Sequence, residues 1–513
     1  MRPRDAKGFA GLHRVASTGS TNEERVETAP PARRVQEVDG GNRAGPEAPG
    51  RERRCADSAP DRDHRTQVAI ERAVINIDRR INAQLDAILH HPRFQALEAS
   101  WRGLYYLAAV EAAHDEEVSI KIRVLNVSWA ELAKDVTRAL EFDQSQLFRK
   151  IYSEEFDTPG GEPFGVMLGD YQVAHRTTPG VPVPDTEVLQ EMARIAMAAL
   201  CPFIANASST LLGLDSFREA SQPLGLDALF RQTEYHKWTS LRRDTHARFL
   251  ALTVPRVLMR APYLDDGSRH EGVQYRENTN ANPEHYLWGS ACYALGGVIL
   301  RAFANTGWFA DLRGGPHEFG EGGVVPDLEY LPLAVDREQL APRFATEVMF
   351  DDFTERELSD AGLIPLCSYH TAQRSVFFSN SSLHEPPAEG SELARLNARL
   401  SSMLQYVLCV SRFGHYIKII GRDKVGRFAT AEELQQLLQD WLHQYTTSNE
   451  SASASLKARY PLAASRVEVA ERPGEPGHFS CVVHLKPHFQ LDQLVSTIRL
   501  VTEIAVGPNP APE

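Results

Sequence analysis

The chain has 513 residues, a formal net charge of −13 and a hydrophobic fraction of 42%. That length predicts two or three domains rather than one core, and the acidic balance argues against a general nucleic-acid binder. Six scattered cysteines with no C-x-x-C pair argue against a disulfide frame or zinc cluster and fit a reducing cytoplasm.

Residues 1–64 are rich in Arg, Glu, Gly, Pro and Ala, as in APPARRVQEVDGGNRAGPEAPGRERR, and are predicted to be disordered. Acidic residues interleave with the arginines, so the segment reads as a solvated polyampholyte. No secretory leader is expected, because the first residues lack an apolar run. No membrane span is expected either, since no stretch of about 18 apolar residues exists.

Order is predicted from VAIERAVINIDRRINAQLDAILHH. Here Ile70, Val74, Ile77, Ile81, Leu85 and Ile88 recur at helical spacing, opposite a charged face. Pro92 breaks this helix. A second helix, FQALEASWRGLYYLAAV, carries Phe94, Leu97, Trp101, Leu104 and Ala108 on one stripe. EEVSIKIRVLNVS alternates Val118, Ile120, Ile122 and Val124 with polar residues and predicts a half-buried strand. Ser128 and Glu131 form a capping box ahead of the next helix. PFGVMLGDYQV reads as a strand. PDTEVLQEMARIAMAALCPFIANASS reads as a helix entering a buried segment. RFLALTVPRVLMRAPY is a strand with an irregular connection around Pro255, and NPEHYLWGSACYALGGVILRAFANTG is a central apolar helix. Alternating helices and strands over residues 66–380 predict an α/β or α+β body.

HEPPAEG marks a joint. Beyond it Leu393, Leu396, Leu400, Met403, Val407, Val410 and Ile417 trace one stripe of a long helix, with Gly426 as its stop. Thr430 and Glu433 cap a shorter helix, the Ser-rich TTSNESASAS is a loop, and a strand surrounds Val467 and Val469. Two further strands follow. In the first, Phe479, Cys481, Val483 and Leu485 share a face. In the second, Leu494, Ser496, Ile498, Leu500 and Ile504 alternate with Val495, Thr497, Arg499 and Glu503. A hairpin alone is marginal in water, and its edges invite another strand. The expected organisation is a disordered extension (1–64), an α/β body (65–380) and a C-terminal module of long helix plus hairpin (381–513).

No catalytic constellation assembles. His90 and His91 are adjacent on a helix, so they point about 100° apart and cannot easily share a metal. RGGPHEFGEGG leads into no helix and carries no Lys-Ser/Thr, so it is a loop and not a phosphate cradle. There is no H-E-x-x-H and no G-x-S-x-G. Cys201 and Cys409 lie in apolar surroundings that make a thiol inert. Asp157 and Glu162 flank a turn whose chemistry accounts for both. The basic cluster of Lys418, Arg422, Lys424 and Arg427 fits either compensation of a helix dipole or a contact with an acidic partner.

Several long segments occur in a telling order: HHPRFQALEASWRGLYYL, SEEFDTPGGEPFGVMLGDYQ, ALCPFIANASSTLLGLDSF, EYHKWTSLRRDTHARFLALTVPRVLMRAPY, NPEHYLWGSACYALGG, RFGHYIKIIGRDKVGRF, YPLAASRVEV and HLKPHFQLDQLVSTIRLV. Over residues 66–504 the chain closely resembles the large subunit of the bacterial type VI secretion contractile sheath, the TssC/VipB/EvpB family. The resemblance implies a non-enzymatic polymer subunit whose fold is related to phage tail sheath proteins and which takes no cofactor. It implies pairing with a small sheath subunit (TssB/VipA) and with other copies of itself around an Hcp tube. Assembly would start on a baseplate, in a membrane-anchored apparatus of the bacterial cytoplasm, and end with dismantling by the AAA+ unfoldase ClpV. It implies no nucleic acid and no membrane insertion. Neighbouring protomers of that family exchange strands, so Phe479, Cys481, Val483, Leu485, Val495, Thr497, Ile498, Arg499, Leu500 and Val501 are expected to pair across protomers. Lys418, Arg422, Lys424 and Arg427 are then candidates for contact with the tube or another subunit. Family members usually carry an N-terminal linker that joins a neighbour's sheet; residues 1–64 show no strand of that kind. The alternative is a divergent sheath-like paralogue from another contractile device.

Overall fold

A computed structural model describes residues 60–114, 119–178, 180–181, 183–264, 273–279, 282–315, 322–331, 344–369, 374–387, 391–423, 430–449, 452–471, 479–488 and 503–505. The chain divides into two units, Met1–Ala69 and Ile70–Glu513; the described part of the first is the opening of one helix.

Helix α1 (Pro60–Leu89) starts ahead of the predicted order, and α2 (Pro92–Ala112) follows with His91 accepting from the Arg93 amide as its cap. Next come α3 (Trp129–Arg138), the single turn α4 (Gln146–Phe148), β1 (Met167–Val173), α5 (Asp185–Ala198) and β2 (Phe203–Ala207). Then α6 (Leu226–Leu229), α7 (His236–Arg243), β3 (Leu250–Val254), β4 (Val257–Arg260), β5 (Leu287–Gly289) and α8 (Ala291–Thr306) complete the middle of the chain. α9 (Asp352–Asp360), β6 (Leu363–Ser368) and β7 (Ser375–Phe377) lead to α10 (Glu392–Ser401) and α11 (Leu404–Asp423). Last are α12 (Ala431–His443), α13 (Ala454–Arg459), β8 (Leu462–Glu471), β9 (Phe479–Pro487) and β10 (Glu503–Ala505).

The main sheet runs β1-β2-β3-β6-β7, parallel except for β7. Its central strands are buried on both faces, as expected of parallel strands covered by helices. Alternate residues feed two cores. Phe203, Ala205, Leu250, Leu252 and Val254 pack with α5 on one side; Ile204, Ala251, Ile364 and Leu366 pack with α8 on the other. A third core lies under the three-stranded sheet β10-β9-β8 and joins Phe413 and Ile417 of α11, Leu438 and Leu442 of α12, and Val467, Cys481, Val483 and Leu485. The fold is thus mixed α/β, with a C-terminal group of helices and antiparallel strands.

Three expectations change. The predicted strand around Val118–Val124 is not a strand: residues 119–128 form no helix or strand, and Val124 is 65% exposed. Lys121 and Arg123 instead form ion pairs with Glu162 and Glu155. The predicted long helix breaks at Ser402–Met403, because the Leu404 and Ser382 amides donate to the Asn380 and Ser402 carbonyls and Met403 bridges Ser381. The Ser-rich loop gives way at its end to α13, which begins at Ala454 with Ser453 as its N-cap and continues to Arg459. The disorder expected of residues 1–64 lies outside the described residues, apart from the start of α1.

Candidate assembly interface

Nine of the exposed large apolar side chains among the described residues lie on or beside α1 and α2. Ile70, Val74 and Ile77 of α1 are exposed, as are Leu97, Trp101 (66%) and Tyr105 (76%) of α2. The spacings of three and four residues put each set on one helix face. The predicted α2 stripe therefore mostly points outward, with only Leu104 packed against a core. The inward face is Ala99, Gly103, Leu107 and Val110. The reason is close packing against α8. A Cβ on Gly103 would fall on the Tyr293 ring, one on Gly297 would fall on Tyr106, and one on Gly296 would lie 2.6 Å from Leu168 and 3.0 Å from Leu107. Helices this close need small residues between them, so the bulky residues take the other side. The signal was present in the sequence as glycines and alanines at helical spacing, opposite the aromatic residues.

The C-terminal sheet has its own geometry. Phe479, Cys481, Val483 and Leu485 do share a face of β9, and the last three are buried. Their backbone, however, is paired within the chain: Glu471, Val469, Val467 and Ser465 of β8 stand opposite them. On the other side, Glu503, Ile504 and Ala505 of β10 stand opposite His484, Val483 and Val482. Along its β8 side, β9 is thus paired with an antiparallel partner eight residues away in sequence, which closes at little entropic cost. Another chain can reach this sheet only at an outer edge or in place of β10. Val495, Thr497, Ile498, Arg499, Leu500 and Val501 lie outside the described residues.

The two described members of the basic cluster, Lys418 and Arg422, bind groups within the chain. Lys418 Nζ lies over the Tyr152 and Phe156 rings at 4.2 and 4.0 Å, donates to Tyr152 Oη at 2.6 Å and sits 3.3 Å from Asp157 Oδ1. Arg422 donates to the Thr158 carbonyl at 2.8 Å. The two side chains pin α11 to the turn after α4, and Asp157 gains a role that turn chemistry alone did not predict. Lys424 and Arg427 lie outside the described residues.

Other polar clusters are structural. His90 stacks on His285 with ring centroids 4.0 Å apart and approaches Glu277 at 3.3 Å. Glu277 also pairs with buried Arg260 at 2.6 Å, and this pair, foremost among its attractive contacts, holds the carboxyl below its ordinary range despite burial. Burial raises the thiols of Cys409 and Cys481 to about 12 and about 11, and raises those of Cys201, Cys292 and Cys367 as well. Among the described residues no group of three or more His, Cys, Asp or Glu is placed to hold a metal. Nor is any helix there long and apolar enough to cross a membrane.

Comparison with known families shows what the chain belongs to. Residues 71–384 match the family model described as EvpB/VC_A0108, tail sheath N-terminal domain. Residues 393–504 match that described as EvpB/VC_A0108, tail sheath gpW/gp25-like domain. The chain belongs to the VipB/EvpB sheath family. The type VI secretion system sheath protein TssC1 of Pseudomonas aeruginosa is 37% identical over 440 residues, which cover 85% of this chain and 86% of that protein. The cryo-EM structure of the anti-feeding prophage baseplate covers 74% of this chain and 82% of its own at 9% identity, with a TM-score of 0.34, too low to bear on the fold. VipB/EvpB proteins are structural components of contractile sheaths, and this member is not an enzyme.

Proposed function

We propose that this chain is the large subunit of a type VI secretion contractile sheath. It pairs with the small subunit (TssB/VipA), polymerises with copies of itself around an Hcp tube from a baseplate, and contracts to drive the tube outward. The AAA+ unfoldase ClpV then dismantles the contracted form. All of this takes place in the bacterial cytoplasm, in an apparatus anchored to the membrane. The observation that carries the reading is the outward apolar face of α1 and α2, in a chain whose family builds sheaths. Exposed patches of that kind mark protein–protein interfaces. The division into a body (65–380) and a C-terminal module (381–513) is part of the proposal. It is supported by two separate family matches and by a third core under the terminal sheet. Strand exchange between protomers would take place at an open edge of that sheet. Its main-chain bonds are directional yet undemanding of sequence, and they would hold protomers together while the bodies rotate.

The test is co-expression with the small sheath subunit of the same genome, followed by negative-stain microscopy. Long tubules are expected from the pair and from neither chain alone. A monodisperse monomer indifferent to the small subunit would overturn the reading. Tubules formed only with the small subunit of a different contractile device would reassign the chain to that device.

A further inference from the structure

The two sides of the terminal sheet differ. β8 is an edge strand, yet its outward backbone is already engaged. The Val467 amide donates to Gln439 Oε1 at 2.9 Å, and the Val469 amide to Gln435 Oε1 at 3.2 Å. Gln439 Nε2 donates to the Ser465 carbonyl at 3.1 Å. Further back, the Thr447 amide donates to the Leu462 carbonyl at 2.9 Å and the Leu462 amide to the Tyr445 carbonyl at 3.2 Å. The edge is therefore met from Leu462 to Val469 by α12 and the segment that follows it.

The match has a geometric basis. Four helix residues rise about 6 Å, and two strand residues advance about 6.6 Å. Glutamines at i and i+4 on a helix thus meet alternate residues of a parallel-lying strand. A glutamine amide carries the same carbonyl acceptor and N–H donor as a peptide group, so Gln435 and Gln439 imitate a neighbouring strand.

Among the described residues, the opposite side has no such side-chain cover. Val467 and Val469, whose N–H groups point away from β9, stand opposite Val483 and Cys481. In an antiparallel ladder such non-bonded partners both turn their amides outward. Cys481, Val483 and Leu485 therefore present their backbone to the β10 side. Among the described residues β10 pairs only at Val482–His484, leaving β9 to extend beyond it at both ends.

We infer that Gln435 and Gln439 close the β8 edge of the terminal sheet, so that a strand from another chain enters only on the β9/β10 side. The inference rests on the sheath reading for its partner, an extended segment of a second protomer. Its guard component stands on the isolated chain.

Hydrogen exchange on the full chain tests both parts. In the free subunit, a Gln435→Leu/Gln439→Leu variant should lose about tenfold or more protection at the Val467 and Val469 amides. The Arg466 and Glu468 amides, which face β9, should keep theirs. Because Gln435 is exposed and Gln439 only half-buried at the rim of the third core, the variant should fold normally, and its melting temperature checks this. In assembled tubules of the unaltered chain, the Cys481 and Leu485 amides should gain at least tenfold protection while Val467 and Val469 stay as they were. Unchanged exchange at Val467 and Val469 in the variant would overturn the guard. Tubules in which β8 rather than β9 gains protection would overturn the side of entry while leaving the sheath reading intact. Absence of tubules would instead sink the sheath reading, and with it the partner; the guard would still be decided by the free-subunit result.

Discussion

His415 shows how burial sets the behaviour of one residue. Its Nε2 lies 3.0 Å from the Ala199 carbonyl, and Phe156 meets its ring edge-on with centroids 5.0 Å apart. Burial lowers its pKa from 6.5 to about 4; the Ala199 bond opposes the shift, and the Arg412 and Lys418 charges add to it. The unfolded chain takes up this proton near 6.5, whereas the folded chain waits until about 4. Stability is therefore full above the unfolded value and declines as pH falls through the window between the two. One pH unit into that window the loss is about 1.4 kcal/mol. Melting measured at pH 7 and 5.5 should show a smaller drop for His415→Gln than for the unaltered chain. An equal drop would transfer the effect to His175, His384 and His488, whose pKa values burial also lowers. Lys418 is the second instructive residue. Its ammonium lies over the Tyr152 and Phe156 rings within the chain, so Lys418→Met should destabilise the free subunit by about 1–2 kcal/mol. A variant that melts normally and only fails to bind the tube would restore the contact role.

At the scale of elements, the α2–α8 pairing decides which face of α2 is available. Helical periodicity alone makes the bulky stripe the natural core face. Glycines at 103, 296 and 297 let α2 and α8 approach so closely that the small-residue face goes inward. Gly103→Ala would force the Tyr293 ring to move, at a cost of about 1–3 kcal/mol. A lowered melting temperature of the free subunit is the expected readout; an unchanged one would show that α2 yields easily. Residues 119–128 teach a related lesson. Their alternation is that of a strand, but a strand needs a partner ladder, and none of the described residues supplies one. The capping boxes fared differently: Ser128–Glu131 and Thr430–Glu433 begin α3 and α12 where the sequence placed them, because the interactions that define them span only three residues.

For the whole molecule, the balance of inward and outward apolar surface separates folding from assembly. Three cores hold the chain together without Ile70, Val74, Trp101 or Tyr105. A Trp101→Glu/Tyr105→Glu variant should therefore melt within about 0.5 kcal/mol of the unaltered chain per substitution and yet form no tubules with the small subunit. Loss of the fold itself would show that this face belongs to the core. The terminal sheet follows the same division: β9 turns Cys481, Val483 and Leu485 into the third core, while its backbone on the β10 side is where the proposed strand from another protomer would add.

Local pattern alone was enough to place the capped helices, β1 and β3 of the main sheet, and the alternation of β9. Those features depend on neighbours a few residues apart. Tertiary structure alone decided which face of α2 is outward, that Lys418 and Arg422 are consumed inside, that the long helix breaks at Met403, and that β8 is guarded by α12. Each depends on groups brought together from distant parts of the chain. The period of a helix or strand tells which residues share a face, but only a packed partner tells which face is dry.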